Sequence, residues 1–338
     1  MKKKRLVYID VIRFFAMILV VLAHSCAAAI GRKQGNFNWS MTNSIVVITE
    51  VAVPLFFMIS GSTILNSEKT YSLKYLFQHR LPRILVPFVV WSVISAIING
   101  LINNHLKDDP WENILMMFHR PILIAYWFIY PLIVLYLLSP LLKAMVSRVD
   151  DGLLTYLLIL WLIANIILPE VVKSTPSSIG TYFAAYPSGR VVISESLGYF
   201  ILGYRVTRGK HRRINPWINL LLIVVLLTIN IVISFVSLNK QFEYLNILAV
   251  INIPLAAILI YLSLRALEPH YPRWFASVIE AAAPLTYGVY LMHGITILTI
   301  QRFVEYTNVG YIFALSLVIS LLTILILHSI PYVRRIFT

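Results

Sequence analysis

The sequence predicts an all-α, polytopic membrane protein with about ten transmembrane helices, and three observations predict it. Hydrophobic residues make up 59% of the 338-residue chain and charged residues only 12%, about half the charged fraction of an ordinary soluble domain. The mean hydropathy is +0.81. Apolar runs of about twenty residues, the length of a helix that crosses a bilayer, recur along the whole chain.

Taken in order, the runs place spans at 7–29, 44–65, 83–102, 122–142, 152–168, 190–204, 216–238, 246–266, 282–301 and 309–329. The first follows MKKKR, which imitates a signal peptide. No small-x-small cleavage site follows it and further spans do, so an uncleaved first span is expected. The second ends in VPLFFMISG, and the third is introduced by FQHRLPRILVP, with Pro82 suited to a first helical turn. The sixth is short and weak, with Ser194, Glu195, Ser196 and Gly198 inside it, as in a helix that lines a cavity instead of facing lipid. No connection exceeds about twenty-five residues, so residues 1–338 are expected to form one membrane domain. The two longest outer connections are 103–121 and 169–189. In the first, WENILMMFHR suits a short helix along the membrane surface; the second, rich in Pro, Ser and Gly, reads as an irregular loop.

The net charge of +14 is distributed unevenly. Nineteen of the 28 Lys and Arg residues fall on the side of the N terminus, eight on the other side, and Arg13 lies inside a span. The positive-inside rule then predicts that both termini are cytoplasmic. The excess of cations is accounted for by topology and by attraction to anionic lipid heads of the bilayer, and nucleic acid is not an expected partner. A single cysteine, Cys26, excludes an intramolecular disulfide and a CxxC metal site; no metal is expected.

Polar residues inside the spans are the candidates for function, because they are costly there unless they line a cavity or have partners. The run RFFAMILVVLAH puts Arg13 and His24 eleven positions apart. At about 100° per residue this is three turns plus about 20°, so both lie on one helix face, about 16 Å apart along the axis. With the N terminus inside, Arg13 sits toward the cytoplasm and His24 toward the outer end. His293 lies in the middle of the ninth span, in TYGVYLMHG, where Tyr287 and Tyr290 make a polar network possible. Glu50 opens the second span at about the depth of His24, where a carboxylate could orient an imidazole or simply lie in the outer interface. Arg80 and Arg83, one turn apart at the cytoplasmic mouth of the third span, suit a polyanionic ligand such as the phosphates of a nucleotide-like cofactor, or serve topology alone.

These residues resemble the acyltransferase family 3, integral membrane enzymes that move acyl groups onto extracytoplasmic or lipid-linked sugars. IDVIRFFAMILVVLAHS resembles the family's first span, in which ten residues separate an arginine from a histidine. HRLPRILVPF resembles its Arg-x-x-Arg stretch, and VPLFFMISG, YWFIYPLIVLYLLSPLL and TYGVYLMHG resemble its second, fourth and late spans. The chain is similar to the stand-alone branch of the family, which includes the O-acetyltransferase of enterobacterial common antigen.

The resemblance implies an acyl-CoA donor, usually acetyl-CoA, a glycan or lipid-linked saccharide as acceptor, and a bacterial inner membrane. It implies catalytic roles for His24 and His293 and places Arg13, Arg80 and Arg83 at the donor. Glu50 matches no family motif, and its candidacy as a catalytic group rests on depth alone. His24 would act as general base on a hydroxyl or take the acyl group itself first. Two other classes fit the span count: an exporter of a lipid-linked glycan with a His24 and Glu50 proton relay, and a sensor that binds a cell-wall precursor without chemistry.

Overall fold

The computed structural model describes residues 5–30, 37–102, 115, 117, 120–173, 194–208, 215–303 and 308–338. Every regular element among them is helical. In chain order the main helices are α1 (Val7–Ser25), α2 (Phe37–Thr49), α3 (Ala52–Leu65), α4 (Leu81–Ile102), α5 (Ile129–Arg148), α6 (Asp151–Trp161), α7 (Glu195–Arg208), α8 (Pro216–Val236), α9 (Asn246–Leu267), α10 (Arg273–Ala282), α11 (Thr286–Phe303) and α12 (Val309–Ser329). The helix starts follow local chemistry. Asp150 caps α6 by accepting from the Leu153 amide at 2.8 Å, Asn308 caps α12 through Tyr311, and α8 opens with Pro216 behind the Asn215 cap, a position where a missing N–H costs nothing.

Nine helical stretches of the described residues are long and apolar enough to cross a membrane, and the chain is an all-α polytopic membrane protein. The expected sixth span is the one short of that length. Its helix runs from Glu195 to Arg208, later at both ends than 190–204, and residues 190–193 lie outside the described set. Its low hydropathy has a physical reason: Tyr199, Phe200, Ile201, Leu202 and Tyr204 are all buried against protein, so the helix needs no lipid-facing stripe. The expected loop 169–189 is also corrected at its start. A π-helical turn, Leu162–Ile167, carries α6 on into the helical segment Leu168–Lys173; the rest of that loop, and nearly all of WENILMMFHR, fall outside the described residues.

The described chain forms two compact units. The first comprises Met1–Thr49, Ser72–Leu137 and Pro272–Thr338. Its centre is α11, which touches α1, α4 and α12 and buries Val289, Tyr290, Leu291 and His293. Helix α1 presents Ile12, Ala16 and Met17 to that core, all with no exposed surface. Before α4 the chain is already helical, through Leu73–Tyr75 and a π-helical turn, Leu76–Arg80. Pro82, which has no N–H to give to the preceding turn, follows immediately, and the wide turn absorbs the missing bond.

The second unit comprises Glu50–Tyr71 and Leu138–Tyr271. Helices α3 and α7 meet there backbone to backbone: a Cβ on Gly61 would lie 1.8 Å from the Phe200 carbonyl oxygen, and one on Gly203 would lie 1.9 Å from that of Met58. Small residues permit this approach in place of a hydrophobic driving force, which lipid does not supply. Helices α8 and α9 pair through buried amides, with Asn219 donating to Ser263 at 3.1 Å and Asn252 donating to Asn230 at 2.8 Å. The other face of α8 exposes Leu220, Leu221 and Val224, as a lipid-facing surface would.

Candidate functional site

The candidate site is built on α1 and α11 of the first unit. Because α1 is unbroken from Val7 to Ser25, the Arg13 and His24 side chains share a face three turns apart. At the N-terminal end of α1 Asp10, only 5% exposed, accepts from Arg13 Nη1 at 2.9 Å and from Arg5 Nε at 2.5 Å. Arg5 also donates to the Glu280 carbonyl at 3.2 Å. One buried carboxylate between two guanidiniums satisfies its own desolvation and leaves a net positive charge. The phenol of Tyr136 on α5 lies within electrostatic reach of both Arg13 and Arg80, and the Arg80 guanidinium sits 5.4 Å over the Tyr75 ring. The structure therefore brings Arg13 and Arg80 to one tyrosine. Arg83 remains exposed and is not joined to them.

At the C-terminal end of α1 His24 and His293, 269 residues apart in sequence, face each other edge to face with ring centroids 5.1 Å apart. Their hydrogen-bond pattern assigns the tautomers. His24 Nδ1 lies 2.9 Å from the Val20 carbonyl, and His293 Nδ1 contacts the Tyr290 carbonyl. A carbonyl only accepts, so both Nδ1 atoms carry the hydrogen. Nε2 of neutral His293 is then a lone pair, and it lies 3.4 Å from His24 Nδ1–H. Nε2 of His24 is left as a free lone pair, with no partner among the described residues. His293 has no exposed surface, whereas His24 is half-buried. The reachable imidazole is thus backed by a sequestered one. This arrangement can take a proton on the outside while the inner ring steadies the resulting cation.

Tyrosines hold the His293 segment in place. Tyr126 donates to the Leu291 carbonyl at 2.6 Å and lies 2.8 Å from the Ser95 hydroxyl. Tyr290 donates to the Ala125 carbonyl and packs edge-on to Phe128 at 4.6 Å. Tyr287 donates to the Ile84 carbonyl at 3.0 Å. Helix α11 is thereby tied by hydroxyls to the Leu123–Phe128 turn and to α4, and sequence reading anticipated only Tyr287 and Tyr290 in this network.

Asp10 and Tyr136 were missed by that reading. The first had a usable signal, since Asp10 stands three residues before Arg13; the second had none, because its approach to Arg13 depends on packing. Glu50 lies exposed at the break between α2 and α3 and belongs to the second unit, where it neighbours Tyr199.

A family model described as an acyltransferase domain matches residues 6–328. The chain belongs to the acyltransferase family 3. The match runs through both compact units and includes every residue of the site except Arg5. No curated protein and no solved structure matches the chain. Family and architecture together make it a multi-pass membrane acyltransferase.

Proposed function

We propose that this acyltransferase is an O-acetyltransferase of the bacterial inner membrane, with both termini cytoplasmic. It takes an acetyl group from cytoplasmic acetyl-CoA and delivers it to a hydroxyl of a cell-surface or lipid-linked glycan. The observation that carries this reading is the Nε2 lone pair of half-buried His24, without a partner among the described residues, backed by His293 and in line with a cationic group at the opposite end of the same helix face.

The donor's phosphates bind Arg13 and Arg80, with Arg83 at the exposed mouth, and the pantetheine arm covers the distance of about 16 Å toward His24. His24 Nε2 removes the proton of the acceptor hydroxyl as that oxygen bonds to the thioester carbonyl carbon. Collapse of the adduct breaks the C–S bond. The proton then passes from the imidazolium to the departing thiolate, so that ester and CoA thiol leave and His24 is neutral again. His293, buried and neutral, accepts from His24 Nδ1–H and stabilises the imidazolium while it exists.

The test uses membranes containing equal amounts of wild type or His24→Ala, given acetyl-CoA labelled in the acetyl group. Label should appear in the glycan fraction with the wild type and be lost with the variant. Equal labelling by both removes His24 from the chemistry. No transfer by the wild type, with glycan export dependent on the protein, replaces the enzyme with an exporter.

A further inference from the structure

Arg5 precedes α1 and lies outside the stretch that the family model matches, yet it shares the carboxylate that holds Arg13. Its side chain is fixed at two points. Nε donates to one oxygen of Asp10 at 2.5 Å, while Arg13 Nη1 donates to the other oxygen at 2.9 Å. Nη2 of Arg5 donates to the Glu280 carbonyl at 3.2 Å. That carbonyl is open to a side chain for a local reason. In a helix it would accept from the amide four residues on, and the residue there is Pro284, which has no N–H. The gap in the backbone ladder between α10 and α11 thus supplies the second anchor of Arg5. All of these residues belong to the first unit.

A cation that served topology alone would extend into water, because an exposed ion pair gains little and costs side-chain entropy. Arg5 is instead held by a carboxylate whose side chain is 7% exposed and by a backbone group, and it still keeps 47% of its own side chain open, against 34% for Arg13. Two guanidiniums on the two oxygens of one carboxylate stand side by side and leave one positive charge uncompensated within the triad. Among the described residues Arg5 bonds only these two acceptors, so the other N–H groups of its fork are left for a ligand. A phosphate suits the pair best, since its oxygens accept from several N–H groups at once in charge-assisted bonds.

We infer that Arg5 is a further donor-binding residue, taking a phosphate of acyl-CoA jointly with Arg13, a role that rests on the acyltransfer reading above. Under the topology proposed there, this end of α1 is cytoplasmic, the side on which the donor is made. Asp10 holds the two like charges together before the donor binds, and the phosphate neutralises the charge that Asp10 leaves. Because Arg5 is already ordered by Asp10 and Glu280, little side-chain freedom is lost when the phosphate arrives. The bond to Glu280 also ties this phosphate grip to the segment that leads into α11, the helix that carries His293.

The test is isothermal titration calorimetry on purified full-length protein in detergent, with CoA and inorganic pyrophosphate as probes. In Arg5→Gln the Kd for CoA should rise about tenfold, the effect of losing a hydrogen bond to a charged group. Arg5→Lys should recover part of this, because the charge returns without the fork. CoA affinity should also fall less steeply with added salt in Arg5→Gln than in wild type, since one screened charge is gone. A residue that merely supported the fold would leave that slope unchanged, and equal Tm values check that the variants are folded. Equal CoA affinity in wild type and Arg5→Gln, or a weaker affinity with the wild-type salt dependence, overturns the assignment and leaves the acyltransfer reading standing. If pyrophosphate binds in an Arg5-dependent way and CoA does not bind, the phosphate site stands and the CoA donor fails. No binding of either probe by the wild type overturns both.

Discussion

Replacing His293 separates its action in the transition state from a structural role. In the resting site its Nε2 lies 3.4 Å from His24 Nδ1, while the Val20 carbonyl takes the same hydrogen at 2.9 Å. The imidazole pair therefore gains little from His293 before reaction. When His24 becomes an imidazolium, Nδ1–H becomes a charged donor beside a neutral acceptor that is shut off from water. A hydrogen bond to a charged group contributes about 1.5–3 kcal/mol, and about 1.4 kcal/mol is tenfold in rate. His293→Leu, which fills the volume and removes the acceptor, is expected to lower kcat about 10- to 100-fold. KM for acetyl-CoA should stay unchanged, because the interaction exists only once charge has developed. His293→Gln restores an acceptor and should recover part of the loss. The assay is initial-rate kinetics on purified protein, with size-exclusion elution confirming that each variant is folded. A His293→Leu enzyme with full kcat, or one whose only defect is a raised KM, would refute the reasoning.

Asp10→Asn removes the charge that holds Arg5 and Arg13 together, and KM for acetyl-CoA should rise about tenfold with kcat within a factor of about two; steady-state kinetics check this. Arg80→Ala should raise the same KM about tenfold, whereas Arg83→Ala, at an exposed position, should change it less than about twofold. Gly61→Val forces a side chain into the Phe200 backbone, where even a Cβ would be 1.8 Å from the carbonyl oxygen. It should cost at least about 3 kcal/mol, read as a lowered Tm or loss of folded protein in detergent.

What could be read from the sequence was whatever depends on counting along one helix. The spans, the shared face of Arg13 and His24 and their separation all follow from a repeat and a rise, and α1 keeps them because nothing in VYIDVIRFFAMILVVLAHS breaks the helix. The same counting set Glu50 level with His24 by depth, but depth says nothing about direction around the axis or about the neighbouring helix. Those are decided where backbones touch, at Gly61 and Gly203 between α3 and α7, and there a glycine in a list of apolar residues carries no sign of its partner. The sixth span shows the same limit. Its polar residues were read as a cavity lining, but which groups they would face depends on Trp161 lying across Gly198, 37 positions later in sequence. The histidine pair is the extreme case, two residues at opposite ends of the chain whose tautomers become definite only when Val20 and Tyr290 present their carbonyls. A motif of arginine and histidine thus names a base, and the fold supplies what makes it one: a fixed hydrogen on one nitrogen and an open lone pair on the other.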